Sequence, residues 1–221
     1  MGKAFSAAFV CVFLFFSCIG TGSGISIRAD GTGTIQLEYR LAKELEGLGK
    51  LDGNERWLPV PVGKADLERT VNRVEGLRLV SFSSKEDGKD IVYSARLDFD
   101  SPRALTGFLD ASGRQVELDM EKKRLAFTFA GAENFVENSA GFSAENSKAG
   151  FRDMVVSSFS GYEFSLVLNM PAAVSLRWLD ENGAETRNPG TCSLDGAALD
   201  FSSPMSDLVL LEKACVMEIT W

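Results

Sequence analysis

The chain has 221 residues, with 23 Lys+Arg against 31 Asp+Glu and no histidine. The missing histidine excludes Ser-His-Asp and Cys-His nucleophile systems, HExxH zinc sites and histidine pH switches. A formal charge of −8 argues against nucleic-acid binding, which needs a basic surface. The length suits one generous domain or two small ones, and 45% hydrophobic with 24% charged residues is ordinary for a globular protein.

Met1 to Ser17 reads MGKAFSAAFVCVFLFFS: one cation, Lys3, then uncharged and mostly apolar residues. A transmembrane helix needs about 20 apolar residues, so this run is short and has the shape of a secretory signal peptide. It stops at Ser17-Cys18, followed by Ile-Gly-Thr-Gly-Ser-Gly. A small residue, a cysteine and a Gly/Ser stretch resemble a bacterial lipobox, in which the cysteine is acylated and becomes the first mature residue. The usual leucine three positions before the cysteine is here Phe15, with Leu14 one further back, as in the looser spirochaete type. The expected division is a signal peptide over 1–17, lipidated Cys18 with a flexible tether over 18–24, and one extracytoplasmic domain over 25–221. A sub-boundary is expected near 130–150. An ordinary secreted protein or an uncleaved anchor is the competing reading. With Cys11 removed and Cys18 acylated, Cys192 and Cys215 remain. An extracytoplasmic compartment permits them to pair, which in the chain-entropy model adds about 3 kcal/mol. Two free buried thiols are the alternative.

Along the rest of the chain, Ile25, Ile27 and Ala29, the turn Asp30-Gly31-Thr32-Gly33, and Ile35, Leu37, Tyr39 and Leu41 predict a hairpin. Residues 42–50 predict a short helix, and Trp57 to Pro61 an extended segment. Lys64 to Gly76 predicts an amphipathic helix. Leu77 to Ser83 and Ile91 to Phe99 predict strands around a Lys85-Glu86-Asp87-Gly88 turn. Ser101-Pro102 predicts an N-cap and N1 position. Val116 to Met120 and Leu125 to Phe129 predict a further hairpin. After the small, polar stretch 130–150, a short helix is expected over 152–159. Strands are expected over 162–170, 174–178, 198–201 and 215–221, with a polar connection over 184–196 and either helix or strand over 206–214. The class is α+β: antiparallel β-hairpins alternating with amphipathic helices, in one curved sheet covered by helices.

These features together resemble the bacterial LppM-type extracytoplasmic lipoprotein family. The residues that carry the resemblance are the lipobox at Cys18, Asp30-Gly31-Thr32-Gly33, Met170-Pro171 leading to Val174, and the closing strand Ile219-Thr220-Trp221. LppM-type proteins also carry a C-terminal membrane helix and basic tail, which residues up to Trp221 lack, so only the N-terminal anchor and the extracytoplasmic domain carry over. The resemblance implies an envelope protein that binds a lipid or glycolipid.

Candidate chemistry is sparse. Glu117, Asp119 and Glu121 share one strand face and could form an acid–base pair for glycoside hydrolysis or a Ca²⁺ site. They alternate with Val116, Leu118 and Met120, which places them on a wet face. Asp30 to Gly33 lacks the spacing of a phosphate loop. Tyr93, Phe99, Leu125, Phe127, Phe129, Tyr162, Phe164 and Trp178 are expected on one side of the sheet, either as packed core or as the lining of an acyl-chain cleft. In the cleft reading Phe135 and Phe142, in the 130–150 segment, would form a lid, and Phe127, Phe129, Phe164 and Trp178 would be the contacts. No metal or cofactor is expected, and neither is nucleic acid. The expected function is a membrane-anchored, non-catalytic binding domain for a lipid, glycolipid or envelope partner. A structural or adhesive lipoprotein is the second reading and a carboxylate-based hydrolase the third.

Overall fold

Alternation of apolar and polar residues builds most of the strands. Along Asp90–Phe99, Ile91, Tyr93, Ala95, Leu97 and Phe99 are buried while the residues between them are more exposed. The computed structural model describes residues 19–43, 46, 61–110, 115–129, 156 and 161–221. In chain order these form β1 (Ile19–Ile27), β2 (Gly33–Ala42), α1 (Gly63–Asn72), β3 (Leu77–Asp87), β4 (Asp90–Phe99), α2 (Pro102–Leu109) and β5 (Val116–Asp119). Then follow β6 (Arg124–Phe129), β7 (Glu163–Asn169), β8 (Ser175–Asp180), β9 (Thr191–Asp195), β10 (Ala198–Pro204), α3 (Met205–Val209) and β11 (Cys215–Thr220). The signal segment, Cys18, residues 47–60 and the 130–150 segment with Phe135 and Phe142 lie outside the described residues.

The class is α+β, but the strands divide into two sheets rather than one. One has seven strands in the order β3-β4-β2-β1-β7-β10-β9, and the other has four in the order β5-β6-β11-β8. The larger sheet is mixed, because β1 pairs in parallel with β7, from Thr21↔Phe164 to Ser26↔Asn169. The hairpin rule foresees only antiparallel neighbours, and this pairing is made by chain segments far apart in sequence. Two further expectations are corrected. Residues 19–24 are not a tether, since they form the first part of β1, paired from Ile19↔Leu41 onward. The polar connection over 184–196 contains β9, an edge strand paired with β10.

The inner faces of both sheets meet in one core. Ile25, Ile35, Leu97, Leu166, Leu168 and Phe201 come from the larger sheet, and Leu125, Trp178, Met217 and Ile219 from the smaller. Leu67 and Val71 of α1 and Ala104 and Leu105 of α2 complete it. Helix α2 begins as expected, with the Ser101 hydroxyl accepting from Ala104 N at 3.2 Å and Pro102 in the first turn. In α1 the buried Asp66 carboxylate accepts from Val62 N at 2.8 Å, closing the helix start from inside. A second, smaller cluster stacks Tyr39 on Tyr93, with ring centroids 5.2 Å apart, beside Leu41, Val62 and Ile91. Burial raises the pKa of both phenols above the ordinary value.

Candidate functional site

The aromatic candidates are drawn together at the junction of the two sheets. Phe129 of β6 meets Phe164 of β7 edge-on at 6.1 Å and Trp178 of β8 at 5.7 Å. Phe201 of β10, which sequence reasoning did not single out, contacts Phe164 at 6.1 Å and Trp178 at 5.2 Å. Phe127 is half-buried against the same core. Offset and edge-on rings at these spacings are ordinary core packing, each pair adding about 1 kcal/mol beyond area burial. These residues therefore join the sheets to one another.

Cys192 on β9 and Cys215 on β11 are both free thiols in the structure, so the expected bridge is not formed. They belong to different sheets, Cys192 opposite Phe201 and Cys215 between Phe129 and Asp180. Burial pushes the Cys215 thiol up to about 11 and raises that of Cys192 as well. The carboxylates also follow the wet-face reading. Glu117 pairs with Arg124 at 2.6 Å and Asp119 with Lys122 at 2.9 Å. Hydrogen bonds from the Lys122 backbone and side chain hold Asp119 below the ordinary carboxylate range, the opposite of what a general acid needs. Glu218 accepts from both Arg124 and Arg177 and is likewise held low, first by the Arg124 hydrogen bond. Among the described residues no three of His, Cys, Asp and Glu gather as a metal site, and no helix is long and apolar enough to cross a membrane.

A concavity among the described residues lies elsewhere, on the outer face of the seven-stranded sheet. It is a groove of about 540 Å³ running across β3, β4, β2, β1 and β7. Side chains on every second residue of each strand share this face. Its floor is β1, where Gly22 and Gly24 carry no side chain and Ser26 a short one. Gln36 and Glu38 of β2 rise on one side, backed by Ser94 and Arg96 of β4 and Ser81 and Ser83 of β3. Ser165, Val167 and Asn169 of β7 rise on the other. Cross-strand register aligns them in rows: Ser83, Ser94, Glu38, Gly22 and Ser165 in one, Ser81, Arg96, Gln36, Gly24 and Val167 in the next.

The lining is rich in groups that can both give and accept hydrogen bonds. Asn169 Nδ2 donates to Ser26 Oγ at 3.3 Å, and Arg96 meets Asp98 only at 3.9 Å. Among the described residues the side chains of Gln36, Glu38, Ser94 and Ser165 make no hydrogen bond or ion pair, leaving amide, carboxylate and hydroxyls turned to the groove.

The two glycines are the telling residues. A glycine inside a strand weakens it by roughly 0.5–1 kcal/mol relative to alanine. It is needed where backbone must approach closely or φ is positive. Neither applies here: both have ordinary strand φ, a Cβ on Gly22 would meet nothing nearer than 3.7 Å, and one on Gly24 nothing nearer than 3.6 Å. Gly33 shows the contrast, since its Cβ would lie 2.0 Å from the Ser26 carbonyl and 2.3 Å from the Phe99 ring. The fold requires Gly33, while Gly22 and Gly24 keep a space open. Sequence reading treated Gly22 and Gly24 as tether. The signal that could have found them is the alternation of Ser23, Ile25 and Ile27 with Gly22, Gly24 and Ser26, which already has period two.

Fold and site together define a two-sheet α+β domain with a polar groove on its open face. No family model matches the chain, and no curated protein matches it. A solved structure it is similar to is the folded domain of LppM from Mycobacterium tuberculosis, determined by NMR, with 10% sequence identity over 92% of this chain and 90% of that chain and a TM-score of 0.44.

Proposed function

We propose that the chain is a bacterial lipoprotein, anchored outside the cytoplasm through acyl chains on Cys18, whose domain binds a hydroxyl-rich partner without chemical conversion. The partner class is a glycan, most simply a glycolipid headgroup. The observation that carries this reading is the groove floored by Gly22 and Gly24, which the fold could fill and does not. Sugar hydroxyls donate and accept at once, as the serine, amide, carboxylate and guanidinium groups of the walls do. The close packing of Phe129, Phe164, Trp178 and Phe201 on one another favours an outer-face site over an acyl chain held between the sheets. The ion pairs that occupy Glu117 and Asp119 favour binding over hydrolysis.

The test is titration calorimetry with oligosaccharides released from envelope glycolipids, comparing the native domain with Gly24→Phe. That variant fills the groove from a position where the fold has room. Expected is saturable binding to the native domain, weakened by about tenfold or more in the variant, the size of one or two lost hydrogen bonds to charged groups. Equal affinity of a folded Gly24→Phe domain would exclude the groove as the site.

A further inference from the structure

We infer that the groove is closed at one end and reads the free, non-reducing end of a linear glycan, whose other end leaves past Gly22. This rests on the glycan reading of the same groove and adds the direction in which the ligand lies.

The axis follows from three neighbouring strands. Strands in a sheet lie about 4.8 Å apart, so the walls on β2 and β7 stand about 10 Å from each other with β1 between them. Where β1 carries Gly22 and Gly24, the floor between those walls is bare backbone. From Gly22 to Ser26 it runs for about 13 Å at roughly 3.3 Å per residue. A trench of that width and length takes one sugar chain, a few rings long, laid along β1.

The rows that cross the trench differ in how far their polar groups are already satisfied. In the row Ser83, Ser94, Glu38, Gly22 and Ser165, no side chain makes a hydrogen bond or ion pair among the described residues. In the row Ser81, Arg96, Gln36, Gly24 and Val167, Arg96 has only its loose contact with Asp98 at 3.9 Å. The third row, Arg78, Asp98, Thr34, Ser26 and Asn169, is bonded within itself. Arg78 pairs with Asp98 at 2.5 Å, and Asn169 Nδ2 donates to Ser26 Oγ at 3.3 Å. Beyond that row the next outward position along the chain is Arg28, whose Nε donates to Thr32 Oγ1 at 2.7 Å. The floor thus rises from Gly22 and Gly24 through Ser26 to Arg28, and the largest side chain is tied down across the hairpin turn. The other end is open. There the next outward residue of β1 is Gly20, and Arg40 beside it on β2 is drawn toward β3 by Asp87 at 2.7 Å.

A stop at one end decides which part of a glycan is read. A chain laid along β1 does not pass Ser26, so its last ring meets the Ser26–Asn169 pair. A non-reducing terminal ring keeps the hydroxyl that an internal ring has spent on its glycosidic bond. The pair can meet it with the Ser26 O–H as donor and Asn169 Oδ1 as acceptor. The ring behind it lies over Gly24, between exposed Val167 on one wall and Gln36 on the other, which suits one C–H face and one hydroxyl edge. In a glycolipid headgroup the reducing end is bonded to the lipid, so the non-reducing end is the one free to enter a closed groove.

The test uses the full chain, isotopically labelled and held in detergent micelles, with linear oligosaccharides released from envelope glycolipids. A nitroxide is attached to their reducing end, where the lipid was. Expected is that the labelled oligosaccharide binds as tightly as the unlabelled one. It is also expected to broaden the amide signals of Gly22, Glu38 and Ser165 far more than those of Ser26, Asn169 and Arg28. Stronger broadening at Ser26 and Asn169, equal broadening of both ends, or loss of binding through the label overturns the direction while the glycan reading stands. No saturable binding of the unlabelled oligosaccharide overturns the glycan reading itself. Asn169→Ala, shown to be folded by the same spectra, is expected to weaken binding by about three- to tenfold, the size of one hydrogen bond. Unchanged affinity in that variant overturns the contact with the terminal ring.

Discussion

Single residues here are mostly spent on holding two sheets together, and the cysteines show how. Cys215 sits in the row Phe129–Cys215–Asp180 inside the smaller sheet, where burial raises its thiol to about 11. Cys192 is half-buried on an edge strand, and its thiol is raised by burial and by Asp200. The thiolate is the reactive form, so both are slow, and the more buried one is slower. Iodoacetamide at about pH 8, followed by peptide mapping, is expected to modify Cys192 at least ~tenfold faster than Cys215, with Cys215 reacting only once the protein unfolds. A bridge formed in solution would give the opposite result, no modification of either until a reductant is added. The spacing of the two residues in sequence permits a bridge, but it does not show that they fall on strands of different sheets.

At the scale of the element, β1 serves two purposes that pull against each other. It is the strand on which both halves of the larger sheet are built, pairing with β2 and β7, yet its outer face carries glycine where a side chain would strengthen it. Gly22→Ala and Gly24→Ala are each expected to raise the unfolding free energy by about 0.5–1 kcal/mol, read from urea denaturation. Gly33→Ala is expected to lower it, because its Cβ would strike the Ser26 carbonyl. A loss of stability in the first two variants would mean that those glycines are structural after all, and would remove the reason for calling the groove kept open. The elements themselves were largely legible. Alternation foretold β2, β4, β6 and β7, and Ser101-Pro102 foretold the start of α2. The groove was not legible, because Gln36, Glu38, Ser94 and Ser165 read locally as an ordinary wet face. Only the register that brings them beside Gly22 and Gly24 makes them a site.

For the whole molecule, the decisive fact is a contact that no local pattern announces. Ser26 and Asn169 are 143 residues apart and share a hydrogen bond across the parallel β1–β7 pair. Hairpin logic predicts each neighbour that follows its partner along the chain. It cannot predict a strand that waits for a segment synthesised much later, and so the 19–24 stretch reads as a tether. The two descriptions give opposite outcomes when that stretch is removed. A tether can be shortened without loss of stability. A central strand cannot, because without residues 19–24 the β3-β4-β2 half and the β7-β10-β9 half lose most of the pairing that joins them. The inner-face aromatics Phe164 and Phe201 belong to the second half, and with Phe129 and Trp178 they link it to the smaller sheet, so the damage would extend to the core. A soluble chain starting at Ile25 is therefore expected to lose the single cooperative unfolding transition that one starting at Ile19 shows by circular dichroism. If both chains melt together at the same temperature, β1 is dispensable before Ile25 and the stretch behaves as a tether after all.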